Sequence, residues 1–133
     1  MKKGEIVSRV IVPKPAQGVG AYFEKFGLRE AGAISVVSVA VMVKVKDGIC
    51  VDASVVIGAV APTPRISDKA SEILKGKDAK YCVSTDILAQ AGQAAADDSI
   101  PIDDIRGGAQ YRRELLKVLT QRAIVKAIAV ASV

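Results

Sequence analysis

Side chains able to do chemistry are few in this sequence, and their spacing narrows the chemistry further. No histidine is present, so a serine or cysteine nucleophile would lack its usual base. Cys50 and Cys82 form no CxxC pair, and without histidine they make zinc and haem sites implausible. Asp103 and Asp104 adjoin and could act as paired carboxylates, but nothing in the sequence places them in a cleft. With Asp97 and Asp98 they form an acidic stretch that offers oxygen ligands to a cation, or solvated loop and capping groups, the reading preferred here. Gly18-Val19-Gly20 is a glycine pair in a loop, and neither GxGxxG nor GxxxxGK[ST] occurs to cradle a phosphate. These residues alone describe a soluble helper or binding domain.

Composition agrees. The 133 residues are 50% hydrophobic and 25% charged, with a mean hydropathy of +0.31, enough apolar material for one core and too much for disorder. A membrane span is not expected, because the apolar stretch Val36–Val43 is short and is closed by Lys44 and Lys46. The net charge of +5 is spread out: residues 1–60 hold eight Lys/Arg against five Asp/Glu, and residues 61–133 hold eleven against nine. Without a concentrated basic stripe, and with only 4% aromatic residues, nucleic acid is not an expected partner. No signal sequence precedes Met1, and the two cysteines read as reduced thiols of a cytoplasmic protein.

The elements that must position any site separate into strands and then helices, which predicts an α+β fold in one domain spanning 1–133. Strands are expected over about 5–60 and helices over about 64–131. A first strand fits Glu5–Val12, closed by Pro13, and a second fits Ala21–Phe26. The alternation of Val37, Val39, Val41, Val43 and Val45, then of Ile49, Val51, Ala53, Val55 and Ile57, marks a hairpin with odd-numbered residues on the core face. Keeping that parity requires a three-residue loop, Lys46-Asp47-Gly48, with Val45 opposite Ile49 and Val43 opposite Val51. A first helix is capped by Thr63 with Pro64 at its first position, buries Ile66, Ala70, Ile73 and Leu74, and stops at Gly76. A second starts near Ser84 or Thr85 and buries Ile87, Leu88, Ala91 and Ala95. The third carries Tyr111, Leu115, Val118, Leu119, Ala123 and Ala127 at helical spacing.

Three segments resemble one known family. Tyr22-Phe23-Glu24-Lys25-Phe26-Gly27-Leu28-Arg29 followed by Val36-Val37-Ser38-Val39-Ala40 resembles its "YEKFxRR…D-[apolar]-A-x-VSVA" start. Gly58-Ala59-Val60-Ala61-Pro62-Thr63-Pro64-Arg65 is similar to its "GGVAPTPxR" segment, and Asp104-Ile105-Arg106-Gly107-Gly108-Ala109-Gln110-Tyr111-Arg112-Arg113 to its "DxRGSAxYRR". The family is the C-terminal domain of the FAD-binding subunit of molybdenum hydroxylases, as in carbon monoxide dehydrogenase and xanthine dehydrogenase. The resemblance covers about residues 4–130. It implies a three- to four-stranded antiparallel sheet with three helices packed on one face.

It also implies a role in an oxidoreductase. In such enzymes substrate is oxidised at a molybdopterin centre in one subunit, and electrons pass through 2Fe–2S clusters of another to FAD and then to an acceptor. The C-terminal domain closes over the isoalloxazine ring of an FAD gripped by an N-terminal part, and is not expected to be active alone. The flavin is the redox group, and the protein orients it. By this resemblance Lys25 lies close to the flavin and its acceptor, Ile34 faces the ring, and Arg29 is one of two loop arginines. Leu28 stands where the second arginine is usual, and Ala33 where an aspartate is usual, so a salt bridge and a flavin-directed acceptor are missing. A solvated strand lysine and an ordinary strand-start residue remain the plain alternatives for Lys25 and Ile34. Asp104, Arg106, Tyr111, Arg112 and Arg113 are expected to be structural or interdomain groups. The rival reading is an assembly module of the same complex that has lost flavin contact.

Overall fold

The computed structural model describes residues 2–131. Strands β1 (Val19–Gly27), β2 (Ser35–Lys46), β3 (Ile49–Gly58) and β4 (Arg65–Ile66) form one antiparallel sheet in the order β1-β2-β3-β4. Helices α1 (Asp68–Leu74), α2 (Ala79–Cys82), α3 (Thr85–Asp97) and α4 (Ala109–Ala131) follow. The expected α+β segregation therefore holds, with α2 a single additional turn between the helices read from sequence.

The core lies between the sheet and the helices because the period-2 stripe of β2 meets the period-3.6 stripe of α4. Val37, Val39, Val41 and Val43 are buried from β2, and Leu116, Leu119, Ala123, Ile124 and Ala127 from α4. The α4 stripe is turned slightly from the expected one: Tyr111 and Val118 sit at its exposed margin, while Arg112 and Leu116 point inward. Glycines let the backbones approach. A Cβ on Gly20 would lie 2.0 Å from the Ala127 carbonyl oxygen, and one on Gly92 would lie 2.9 Å from that of Lys117.

The hairpin turn departs from the expected three-residue loop. Lys46 pairs with Ile49, so only Asp47 and Gly48 form the loop, both at positive φ (52° and 79°) as a type I′ turn requires. The parity conflict is resolved one step later by a bulge: Val45 faces Cys50 and Lys44 faces Asp52, leaving Val51 unpaired. Cys50 is thereby buried, Ile49 and Val51 are exposed, and the odd-numbered core face resumes at Ala53.

Two further expectations are corrected. The first helix starts at Asp68, not at Pro64, because Arg65 and Ile66 pair with Ile57 and Val56 as an edge strand, leaving Ile66 exposed. Its cap is Ser67, whose hydroxyl oxygen accepts from the Ala70 N–H and donates to Asp98. The expected first strand at residues 5–12 does not join this sheet: no strand lies beside these residues, and their apolar side chains are exposed.

Candidate functional site

The β1–β2 connection is where the resemblance puts a cofactor, and it is the longest loop between strands. A register shift between Phe26 and Gly27 ends the regular ladder, and the chain returns at Ser35. Gly27 is needed here, since a Cβ on it would lie 2.7 Å from that of Ala33 on the returning limb. Lys25 extends along the loop and donates from Nζ to the Ala33 carbonyl at 2.8 Å. Arg29 donates to the Gly32 carbonyl at 3.2 Å, closing the loop tip on itself.

Lys25, Phe26, Leu28, Arg29, Glu30 and Ala33 enclose a surface cavity of about 450 Å³. A second, of about 270 Å³, adjoins it and is lined by Leu28, Arg29, Ala33, Ile34 and Arg106. Lys25, Arg29 and Ala33 thus come together in the first, and Ile34, 66% exposed, stands beside them in the second. Arg106, expected to be a structural or interdomain group, also reaches this wall. Glu30 and Phe26 are further lining residues that the sequence did not single out.

One buried cation anchors the start of β2, where the loop ends. Arg112, 3% exposed, donates from Nη1 to the carbonyls of Val36 (2.9 Å) and Ala59 (3.2 Å), and from Nε to that of Gly107 (3.3 Å). Its Nη2 meets Asp104 Oδ1 at 2.5 Å, and Asp104 Oδ2 accepts from Arg106 Nη1 at 2.9 Å. One guanidinium therefore ties together the start of β2, the turn after β3 and the approach to α4. Ala59 holds a left-handed conformation (φ 62°) that alanine disfavours, and the bond to its carbonyl supports it. Beside this brace, Phe26 and Tyr111 meet edge to face, with ring centroids 6.5 Å apart at 78°.

The Arg106 backbone N–H, then the Arg112 and Arg106 guanidiniums, hold the Asp104 carboxyl below the usual carboxylate range. A lowered folded pKa gives stability that is complete above the unfolded value of about 3.9 and is lost as pH falls through the lowered value. Thermal melts between neutral pH and about pH 2 should therefore show an acid-side loss that Asp104→Asn reduces. An unchanged acid limb in that variant would contradict this role.

The other candidates for chemistry are committed elsewhere. Asp103 accepts from the Ala109 N–H at the start of α4, Asp97 from Gln93 and Asp98 from Ser67, so the acidic stretch works as caps and ties. Among the described residues no group of three or more potential ligands could hold a metal ion. Cys50 and Cys82 are free and buried. Burial pushes the Cys50 thiol up to about 11 and raises that of Cys82, which leaves neither activated as a nucleophile.

The fold and these motifs define the class. The family of the CO dehydrogenase flavoprotein C-terminal domain matches residues 21–127, and this chain belongs to it. It is 30% identical to the carbon monoxide dehydrogenase medium chain of Afipia carboxidovorans over 127 residues, covering 96% of this chain and 42% of that one. It is 31% identical to the glyceraldehyde dehydrogenase medium chain of Sulfolobus acidocaldarius, covering 91% and 41%. The structure of quinoline 2-oxidoreductase from Pseudomonas putida 86 superposes with a TM-score of 0.80 at 30% identity, covering 92% of this chain and 40% of that one. The chain thus spans about two fifths of the length of these relatives.

Proposed function

We propose that this chain is the part of a molybdenum hydroxylase FAD subunit that closes over the flavin ring, presenting it with Lys25, Arg29, Ala33 and Ile34. The observation that carries the reading is an anchored amine and an exposed aliphatic side chain lining two adjoining concavities that share Leu28, Arg29 and Ala33. The Lys25 amine uses one of its three N–H groups on the Ala33 carbonyl, leaving two for a ligand. Ile34 offers an apolar surface to a flat ring. Ala33 supplies only its carbonyl where a carboxylate is usual in the family, and Lys25 has no ion-pair partner among the described residues. Its full positive charge is thus available to the anionic edge of a reduced flavin or to a bound acceptor. These residues suit the isoalloxazine ring, whereas nothing described here suits the diphosphate, which is left to an FAD-binding N-terminal part.

When bound, FAD would supply the electron transfer, from 2Fe–2S clusters of one partner subunit to an acceptor; the molybdopterin sits in another. This chain would orient the ring, exclude water from one face and hold a cation beside it. No helix among the described residues is long and apolar enough to cross a membrane. A cytoplasmic setting fits the two free buried thiols.

The test is Lys25→Ala in a subunit reconstituted with its FAD-binding part. Flavin affinity should fall about tenfold, with slower reoxidation, the scale of one partly screened charge contact. The exposed Leu28, where the family usually carries arginine, favours a second reading as a purely assembling module. Unchanged affinity and reoxidation would select that reading.

A further inference from the structure

We propose that residues 5–12 are a β-strand donated to a sheet in the FAD-binding part that precedes this domain in the flavoprotein. The inference rests on the assignment of this chain to a larger FAD subunit, but not on the flavin contacts of Lys25.

Three observations meet in this segment. Five of the seven residues from Ile6 to Val12 are β-branched and apolar, and all five are exposed, from 65% for Val7 to 87% for Ile6. Among the described residues the backbone of Ile6–Val12 makes no hydrogen bond to other backbone, the nearest being Glu5 N–H to the Lys2 carbonyl. A run of exposed Ile and Val with a free backbone is a strand lacking its sheet. Its pattern also states what the sheet must be like. Ile6, Val10 and Val12 share one parity, and Val7 and Ile11 the other, so both faces are apolar, as in strands covered on both sides.

The position of the segment names its partner. The C-terminal-domain match begins at residue 21, so the segment lies outside that domain. The similarity to the Afipia carboxidovorans medium chain nonetheless takes in all but a few residues of this chain, and therefore most of the segment. That relative has more than half its length outside the matched region. Pro13-Lys14-Pro15 then ends any ladder and separates the donated strand from β1. Main-chain pairing with a sheet edge would supply partners for the free backbone groups, and covering both faces would bury the side chains.

The experiment uses as probe the part of the Afipia carboxidovorans medium chain that precedes the matched region, produced separately. Three forms of this protein are titrated with it: the full chain, a chain lacking residues 1–14, and Ile11→Asp. Because the segment does not pack on the core, all three should melt within about 2 °C of one another. The full chain should bind, with the Ile6–Val12 amides gaining protection from hydrogen exchange. Truncation and Ile11→Asp should each weaken binding at least about tenfold. Lys25→Ala should leave the protection unchanged, which separates failure here from failure of the flavin reading. Equal binding by all forms, no binding by any, a lowered melting temperature on truncation, or dimers that require residues 5–12 would each overturn the proposal.

Discussion

Replacing Arg112 by methionine should destabilise the protein by about 3 kcal/mol, since acceptors facing a buried guanidinium lose their donor at about 1–3 kcal/mol each. Methionine keeps most of the volume, so the loss is one of bonding and not of packing. Four acceptors lose a donor at once: the carbonyls of Val36, Ala59 and Gly107 and one oxygen of Asp104, of which the Gly107 carbonyl keeps the Asp104 N–H and the Asp104 oxygen keeps the Arg106 N–H. These lie on three separate segments, so the effect should reach beyond α4. Amides around Ser35–Val37 and Ala59 should lose hydrogen-exchange protection together. Denaturant melts would measure the change, and a difference below about 1 kcal/mol would show that the brace is not structural. Arg112→Lys should rescue little, because an ammonium cannot span four acceptors with the geometry of a guanidinium fork.

Gly20→Ala should cost about 3 kcal/mol or more, the upper end of overpacking effects, although it adds one methyl group. That methyl would lie 2.0 Å from the Ala127 carbonyl oxygen and 2.4 Å from the Ala131 nitrogen, and both are backbone atoms of α4. A flexible side chain could swing aside, but here either the helix or strand β1 must move. Gly92→Ala provides the comparison: its added Cβ meets the Lys117 carbonyl at 2.9 Å, so the loss should be smaller. Melts of the two variants would check the ranking. A Gly20→Ala protein as stable as its parent would mean that α4 lies farther from β1 than described.

What the sequence disclosed follows from how local each signal is. Strands β2 and β3 are legible because valine alternates with small or polar residues over most of their length. The bulge at Val51 is not, since Cys50 and Val51 are both acceptable core residues and only the type I′ turn decides which one is buried. Strand β4 is two residues long, and Ile66 looks like the first core residue of a helix until the edge of β3 claims it. Residues 5–12 carry a strand pattern whose partner is not in this sheet. At the site, Lys25 near the end of β1 and Arg29, Ala33 and Ile34 in the loop after it were named by resemblance and lie close together, whereas the arginine that anchors the start of β2 could not be chosen from sequence. Arg112 and Arg113 are adjacent and chemically identical, and only the phase of α4 turns the first inward and the second to solvent.

The central claim, that the β1–β2 loop meets a flavin ring, is tested most directly by titrating the isotopically labelled 133-residue chain with lumiflavin. Lumiflavin carries the isoalloxazine without the diphosphate, so it reads ring contact alone. The account predicts weak, saturable amide shifts centred on Lys25, Arg29, Ala33 and Ile34, extending to Arg106 and diminished by Lys25→Ala. Shifts centred instead on Phe23 and Met42, or no shifts at saturating ligand, would contradict it.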